Sequence, residues 1–123
     1  MLITYTTNRL ILNVLSPSRA GIVLDFYNNN RTFLEPHEPK RAKNFYTTGF
    51  QRSNLSCEYN AFIKQTYLRY WIFLENNMDQ VIGSVCFSNI LKGAFCSCMI
   101  GYKLGEEYCG KGYMQEALTK LIP

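Results

Sequence analysis

Gly110 and Gly112 flank Lys111 within the stretch 102–118, Y-K-L-G-E-E-Y-C-G-K-G-Y-M-Q-E-A-L, where a strand-like run gives way to a helical one. Glycine at such a point lets the backbone approach a ligand closely and adopt conformations that a Cβ forbids. The first turn of the following helix leaves its amides without acceptors, and the helix dipole adds partial positive charge at the same end. Together they make an anion site suited to a pyrophosphate, to which Lys111 adds a full charge. A helix that merely starts after a tight turn would show the same two glycines. Two other phosphate motifs fail on spacing. No G-x-x-x-x-G-K-[ST] occurs, so this is not a P-loop. There is no third glycine for a dinucleotide fingerprint, and the preceding strands read as hairpins rather than parallel units.

The segment 107–112, E-Y-C-G-K-G, resembles the acetyl-CoA signature Gln/Arg-x-x-Gly-x-Gly/Ala of the GNAT acetyltransferase superfamily, with Glu107 departing at the first position. G-Y-x-L followed by E-Y-x-G-K-G-Y-x-x-E-A-L is similar to the branch of ribosomal-protein N-terminal alanine and serine acetyltransferases. The T-x-R-L-I-L of 7–12, the F-L-E-P-H-E-P of 33–39 and the V-I-G-S of 81–84 fit the same branch. The resemblance spans nearly the whole chain and implies the α+β GNAT fold, an antiparallel central sheet flanked by helices.

It further implies that Tyr102, Lys103 and Leu104 lie on the strand that pairs with the pantetheine arm of acetyl-CoA. Cys109, Gly110, Lys111, Gly112, Tyr113 and Met114 would form the loop and first helical turn around the pyrophosphate. A backbone amide near Tyr102 would polarise the thioester carbonyl as an oxyanion-hole donor does. A primary amine, of a protein N-terminus or a small molecule, would attack the acetyl group directly. Proximity would supply much of the rate, and a base would take the amine's proton. Glu35 and Glu38 would border the acceptor amine, and Phe33 would anchor their loop. Cys109 raises an acyl-cysteine route, since a thiol near a helix N-terminus gains reactivity; against it, no histidine lies near in sequence, and any residue would supply the amide. His37 reads as a loop residue.

The chain departs from the pattern after 121, where family members continue with a strand, a helix and a closing hairpin that carry Asn and Tyr positions assisting catalysis. Met99 stands where some relatives place a carboxylate. No general acid or base is therefore named. The expectation is one partial acetyltransferase domain over 1–123, truncated at its C-terminus. Its rivals are a catalytically silent CoA-binding or dimerisation module of the same fold, and a generic interaction domain with an accidental glycine loop. Loss of a following strand would leave an edge carrying Phe95, Met99, Ile100 and Tyr102, which invites a second copy of the chain and so a homodimer.

The elements that must position these residues follow from periodicity. Alternation over 6–15 predicts a first strand with Leu10, Leu12 and Val14 on one face. Ser16-Pro17-Ser18 predicts a serine-capped helix start, with Ala20, Val23, Leu24 and Tyr27 at helical spacing and Asn28 to Asn30 ending it. Pro36 and Pro39 predict a loop over 33–39. One or two helices follow over 45–64. A strand over 70–75, a tight turn at 76–79, a second arm over 80–89, a turn at Lys92-Gly93 and a third strand over 94–104 precede a helix starting near Lys111.

Composition bounds the rest. With 123 residues, 47% hydrophobic and 18% charged, the chain is ordinary globular material for one core. Its longest apolar run, 70–74, is far below the roughly 20 residues of a membrane span, and no basic stretch with an apolar core marks a secretory signal. The net charge of +4 sits between Arg31 and Arg69, where seven basic residues meet three acidic ones. That excess reads either as a surface for an acidic partner or as plain solubility; no basic run marks a nucleic-acid site. Five cysteines without a signal imply reduced thiols in cytoplasm. Cys96 and Cys98 lack the clustered partners that zinc wants and read as small gap fillers on one strand face, so no metal is expected.

Overall fold

The computed structural model describes residues 2–91 and 97–122, with side chains described outside 89–91 and 97–98. Five strands form one sheet in sequence order, every neighbouring pair antiparallel: β1 (Thr4–Thr6), β2 (Leu10–Asn13), β3 (Leu68–Leu74), β4 (Asn77–Leu91) and β5 (Ser97–Leu104). The helices are α1 (Ala20–Asn29), α2 (Arg31–Leu34), α3 (Thr48–Ile63) and α4 (Tyr113–Leu121). The antiparallel sheet flanked by helices is the expected GNAT fold.

Strand alternation distributes the core to both faces, because successive side chains point opposite ways. Leu68, Tyr70 and Ile72 of β3 join Leu10, Leu12, Val14 and Val85 in one cluster, closed by Ala117 and Leu121 of α4. Trp71 and Phe73, one residue out of phase, join Val81 in the other, closed by Ala20, Val23, Phe26 and Tyr27 of α1 and Leu55 of α3. The expected face of Leu10, Leu12 and Val14 is thus buried as read.

Several expectations are corrected. The first strand is two, since the chain turns at 7–9 and β1 folds back on β2 with Tyr5 opposite Leu12. Ser16 does not cap α1: its hydroxyl bonds the Ser18 hydroxyl at 2.7 Å, and Pro17–Arg19 winds one 3₁₀ turn first. The 33–39 loop is mostly helical. α2 runs straight into a 3₁₀ turn, Glu35–His37, in which Pro36 sits in the first turn where its missing N–H costs nothing. Glu38, before Pro39, is extended. Over 45–64 the expectation of one or two helices stands, met by one helix capped by Thr47 accepting from the Phe50 amide at 3.2 Å. The hairpin turn is Glu75-Asn76 rather than 76–79, with Leu74 already opposite Asn77. α4 begins at Tyr113, two residues later than read. The turn at Lys92-Gly93 and the Ala94, Phe95 and Cys96 part of the third strand lie outside the described residues.

Gly83 of β4 lies tight against β5. A Cβ there would lie 2.5 Å from the Lys103 carbonyl oxygen and 2.9 Å from Leu104 Cδ1. Gly83→Ala must push β5 outward, and the expected cost is about 1–3 kcal/mol. Gly21→Ala, in an open helical position with nothing within 4 Å, should instead gain about 0.5–1 kcal/mol. Urea midpoints of the two variants check both signs.

Candidate functional site

β5 is the last strand of the described sheet, hydrogen-bonded on one side to β4, with Tyr102 opposite Val85 and Lys103 opposite Ser84. Met99 and Tyr102 stand 63% and 62% exposed along it. The chain leaves β5 through Gly105, whose amide donates to the Ile82 carbonyl at 2.7 Å. A 3₁₀ turn, Glu106–Tyr108, follows, tied to the end of α1 because the Glu106 amide donates to Asn30 Oδ1 at 3.1 Å. Gly110 and Gly112 then take φ of +79° and +80°. Gly112 is the residue before α4 and offers no side-chain cap, so the amides of the first turn keep the orphan character of any helix start.

A cleft of about 570 Å³ opens against this path. Tyr102, Lys103 and Leu104 line it from β5, Cys109, Gly110 and Met114 from the turn and α4, and Phe33 and Glu38 from the α2 side. Eight of the residues singled out in the sequence therefore meet in one hollow. The others lie around it. The Lys111 side chain is exposed, and its carbonyl accepts from Arg9 Nη1 at 3.0 Å. Gly112 borders a separate hollow beside Thr7 and Glu116. Tyr113 lies under the Arg9 guanidinium, 4.5 Å from its ring centroid. Glu35 is not among the cleft residues; Arg31 Nε donates to it at 2.9 Å and the Tyr46 hydroxyl at 3.1 Å, and the Arg31 bond leads in holding its carboxyl below the usual carboxylate range.

Glu38 is the charged hinge of the cleft. Lys103 Nζ lies 3.0 Å from its Oε1, and Arg41 Nη2 lies 3.4 Å from its Oε2. Lys103 also donates to the Tyr27 hydroxyl at 3.2 Å, so one ammonium binds β5 to both α1 and the α2 loop. Burial alone would raise the Glu38 pKa; the Lys103 and Arg41 charges outweigh it and lower it. A second hollow of about 560 Å³, toward α3, shares Glu38, Pro39, Arg69 and Lys103 with the first.

Residues the sequence reading missed form the floor. Arg69, Cys86 and Gly101 are consecutive partners across β3, β4 and β5, one row on one face. Arg69 Nε bonds Glu58 at 2.8 Å, Nη1 bonds Ser84 Oγ at 2.8 Å, and Nη2 bonds the Tyr67 hydroxyl at 2.7 Å. Burial works against the Arg69 charge, yet Glu58 more than restores it and its pKa rises; the Tyr67 hydroxyl is pushed up chiefly by burial. Only strand register, which no single sequence displays, brings these residues together. Cys109 is exposed, its thiol 3.5 Å from the Gly105 carbonyl. Among the described residues no group of three or more His, Cys, Asp or Glu side chains is placed to hold a metal ion, and no helix is long and apolar enough to cross a membrane.

Comparison with known proteins agrees with this geometry. The family model of the acetyltransferase (GNAT) domain matches residues 9–123. The [ribosomal protein uS5]-alanine N-acetyltransferase of Escherichia coli is 37% identical over 118 residues, which are 95% of this chain and 60% of that protein. The solved ribosomal-protein-S5-alanine acetyltransferase from Vibrio fischeri superposes with a TM-score of 0.88 at 26% identity, over 98% of this chain and 66% of that one. Mycobacterium smegmatis RimJ, solved with a CoA-disulfide, shares the fold with a TM-score of 0.81 at 22% identity, over 92% of this chain and 54% of that one. The chain thus spans about three-fifths of the length of the curated relative it matches.

Two outcomes follow from the site's geometry. Gly110→Ala meets no neighbour within 4 Å, so its expected cost is the left-handed backbone alone, about 1–2 kcal/mol in a urea titration. Glu38→Gln should cost up to about 1 kcal/mol at pH 7. Because the folded carboxyl titrates lower than the unfolded one, that difference is full above the ordinary carboxylate pKa. It should vanish as pH falls through the lowered folded value. Urea midpoints of both chains across pH 3–7 check it.

Proposed function

The chain belongs to the GNAT acetyltransferase family, and we propose that it binds acetyl-CoA along β5 and the 109–114 turn and passes the acetyl group to a primary amine. The observation that carries this reading is the pair of left-handed glycines at the uncapped start of α4, of which Gly110 lines the same cleft as the exposed β5 edge. The residues fit the ligand's parts. The Tyr102–Leu104 backbone offers an edge to an amide-bearing arm, and the amides of 110–114 offer donors to a diphosphate. Lys111, exposed beside them, adds charge.

The relative in Escherichia coli is named for N-acetylation of an alanine of ribosomal protein uS5, and a protein N-terminus is the acceptor we favour here, over a small-molecule amine. Phe33 and Glu38 then stand on the acceptor side of the cleft, with Glu35 behind them fixing Arg31. The amine nitrogen forms a bond to the acetyl carbon, the carbon–sulfur bond breaks, and the proton lost by nitrogen ends on the CoA thiol. Holding the two reactants in one cleft supplies rate by proximity, and Cys109 contributes its amide rather than an acyl-thiol step. We place the reaction in a compartment that keeps thiols reduced. We give the β5 edge to acetyl-CoA rather than to a second copy of the chain. A second reading, binding without turnover, draws on Glu38 already being held by Lys103 and Arg41.

Calorimetric titration of acetyl-CoA into the 123-residue chain should show one site. That site should be lost when Gly110 and Gly112 are both changed to Val, with the core still folded by circular dichroism. Mass spectrometry of an alanine-initiated peptide should show one added acetyl group, absent when its N-terminus is blocked. Binding without acetylation selects the second reading, and no binding by a folded chain overturns both.

A further inference from the structure

The T-x-R-L segment at 7–10 has no part in the function just described, yet it reaches the glycine turn directly. Arg9, in the turn from β1 to β2, donates from Nη1 to the Lys111 carbonyl at 3.0 Å. Its Nε donates to Glu116 Oε1 at 2.7 Å, and its backbone amide donates to Glu116 Oε2 at 3.0 Å. The Thr7 hydroxyl donates to the same Oε2 and accepts from the Leu10 amide at 3.0 Å. The guanidinium covers the Tyr113 ring, and a Cβ at Gly112 would meet Arg9 Nη2 at 3.5 Å. One side chain, some hundred residues away in sequence, therefore touches residues 111, 113 and 116.

Two consequences are physical. Glycines supply no side chain to hold their own turn and lose the most conformational freedom on ordering, so the order of 110–113 must be imposed from outside. Glu116 also lies in the first turn of α4, where a carboxylate is attracted to the same dipole end and amides that a diphosphate would use. Thr7 and Arg9 occupy both its oxygens and hold it on the face away from the cleft, since Thr7 and Glu116 line a separate hollow.

Resting on the acetyl-CoA reading, we infer that Arg9 is a positioning residue for the diphosphate turn: it orders residues 110–113 and withholds the Glu116 carboxylate from the start of α4. The planar fork is required, because a lysine cannot reach the Lys111 carbonyl and Glu116 together while covering Tyr113. Arg9 acts through the turn and touches no reacting atom.

The test uses the 123-residue chain with R9K, R9Q, E116Q and the R9Q/E116Q double variant. Amide hydrogen exchange of unliganded R9Q should accelerate about tenfold at 110–115 while β3 and β4 keep wild-type protection. Acetyl-CoA should bind R9Q and R9K about tenfold more weakly. The double variant should regain part of that loss, because the freed carboxylate is gone; a plain structural strut gives no such recovery. Unchanged exchange at 110–115 in R9Q overturns the inference whatever the ligand does. Equal weakening in R9Q and the double variant overturns its carboxylate half. A wild-type chain that binds no acetyl-CoA overturns the functional reading instead, and the exchange data still decide whether Arg9 orders the turn.

Discussion

Between β5 and α4 the backbone passes twice through the left-handed region, at Gly110 and Gly112, and the rest of the site depends on that passage. A Cβ would make each step cost roughly 1–2 kcal/mol. Having none, the turn is free to face its amides outward but has little of its own to stay ordered. The fold supplies the restraint from three directions. The Ile82 carbonyl holds Gly105, Asn30 at the end of α1 holds the Glu106 amide, and Arg9 holds the Lys111 carbonyl. Sheet, helix and opening hairpin thus converge on one turn, and the two-sided core keeps them in register.

Charge is arranged with the same economy. The basic excess of 31–69, which in sequence suggested either an acidic partner or plain solubility, is partly consumed inside the protein. Arg31 pairs with Glu35, Arg41 with Glu38 and Arg69 with Glu58. The last two pairs are well shielded and border the cleft, where an unpaired charge would be costly. Lys103 adds the link that joins β5 to α1 and to the α2 loop. Opening the cleft on that side therefore means parting Lys103 from Glu38, a cost that low pH removes.

What the sequence displayed was local. The glycine turn, the face of Leu10, Leu12 and Val14, and the succession of β3, β4, β5 and α4 rest on spacings of a few residues, and each stands. Errors arose where a local rule met a stronger neighbour. Pro36 predicted a loop, yet proline is harmless in a first helical turn, and Glu35 stays helical with Arg31 one turn back. Ser16 predicted a cap, but Ser18 offered its hydroxyl a nearer partner. The row of Arg69, Cys86 and Gly101 was invisible because it exists only through strand register. Arg9 and Glu116 were each inside a recognised motif, at 7–12 and 102–118, but their pairing requires the hairpin to fold over α4.

On the proposed reading, the glycine turn and the β5 edge form one binding surface. Backbone amide chemical shifts of the isotopically labelled chain during an acetyl-CoA titration test it most directly. Saturable shifts are expected at 101–104 and 109–114, with Asp25, Asp79 and Gln80, in the hollow on the α1 side of the turn, unmoved. Binding that leaves 109–114 unshifted, or centres on that acidic hollow, would contradict it.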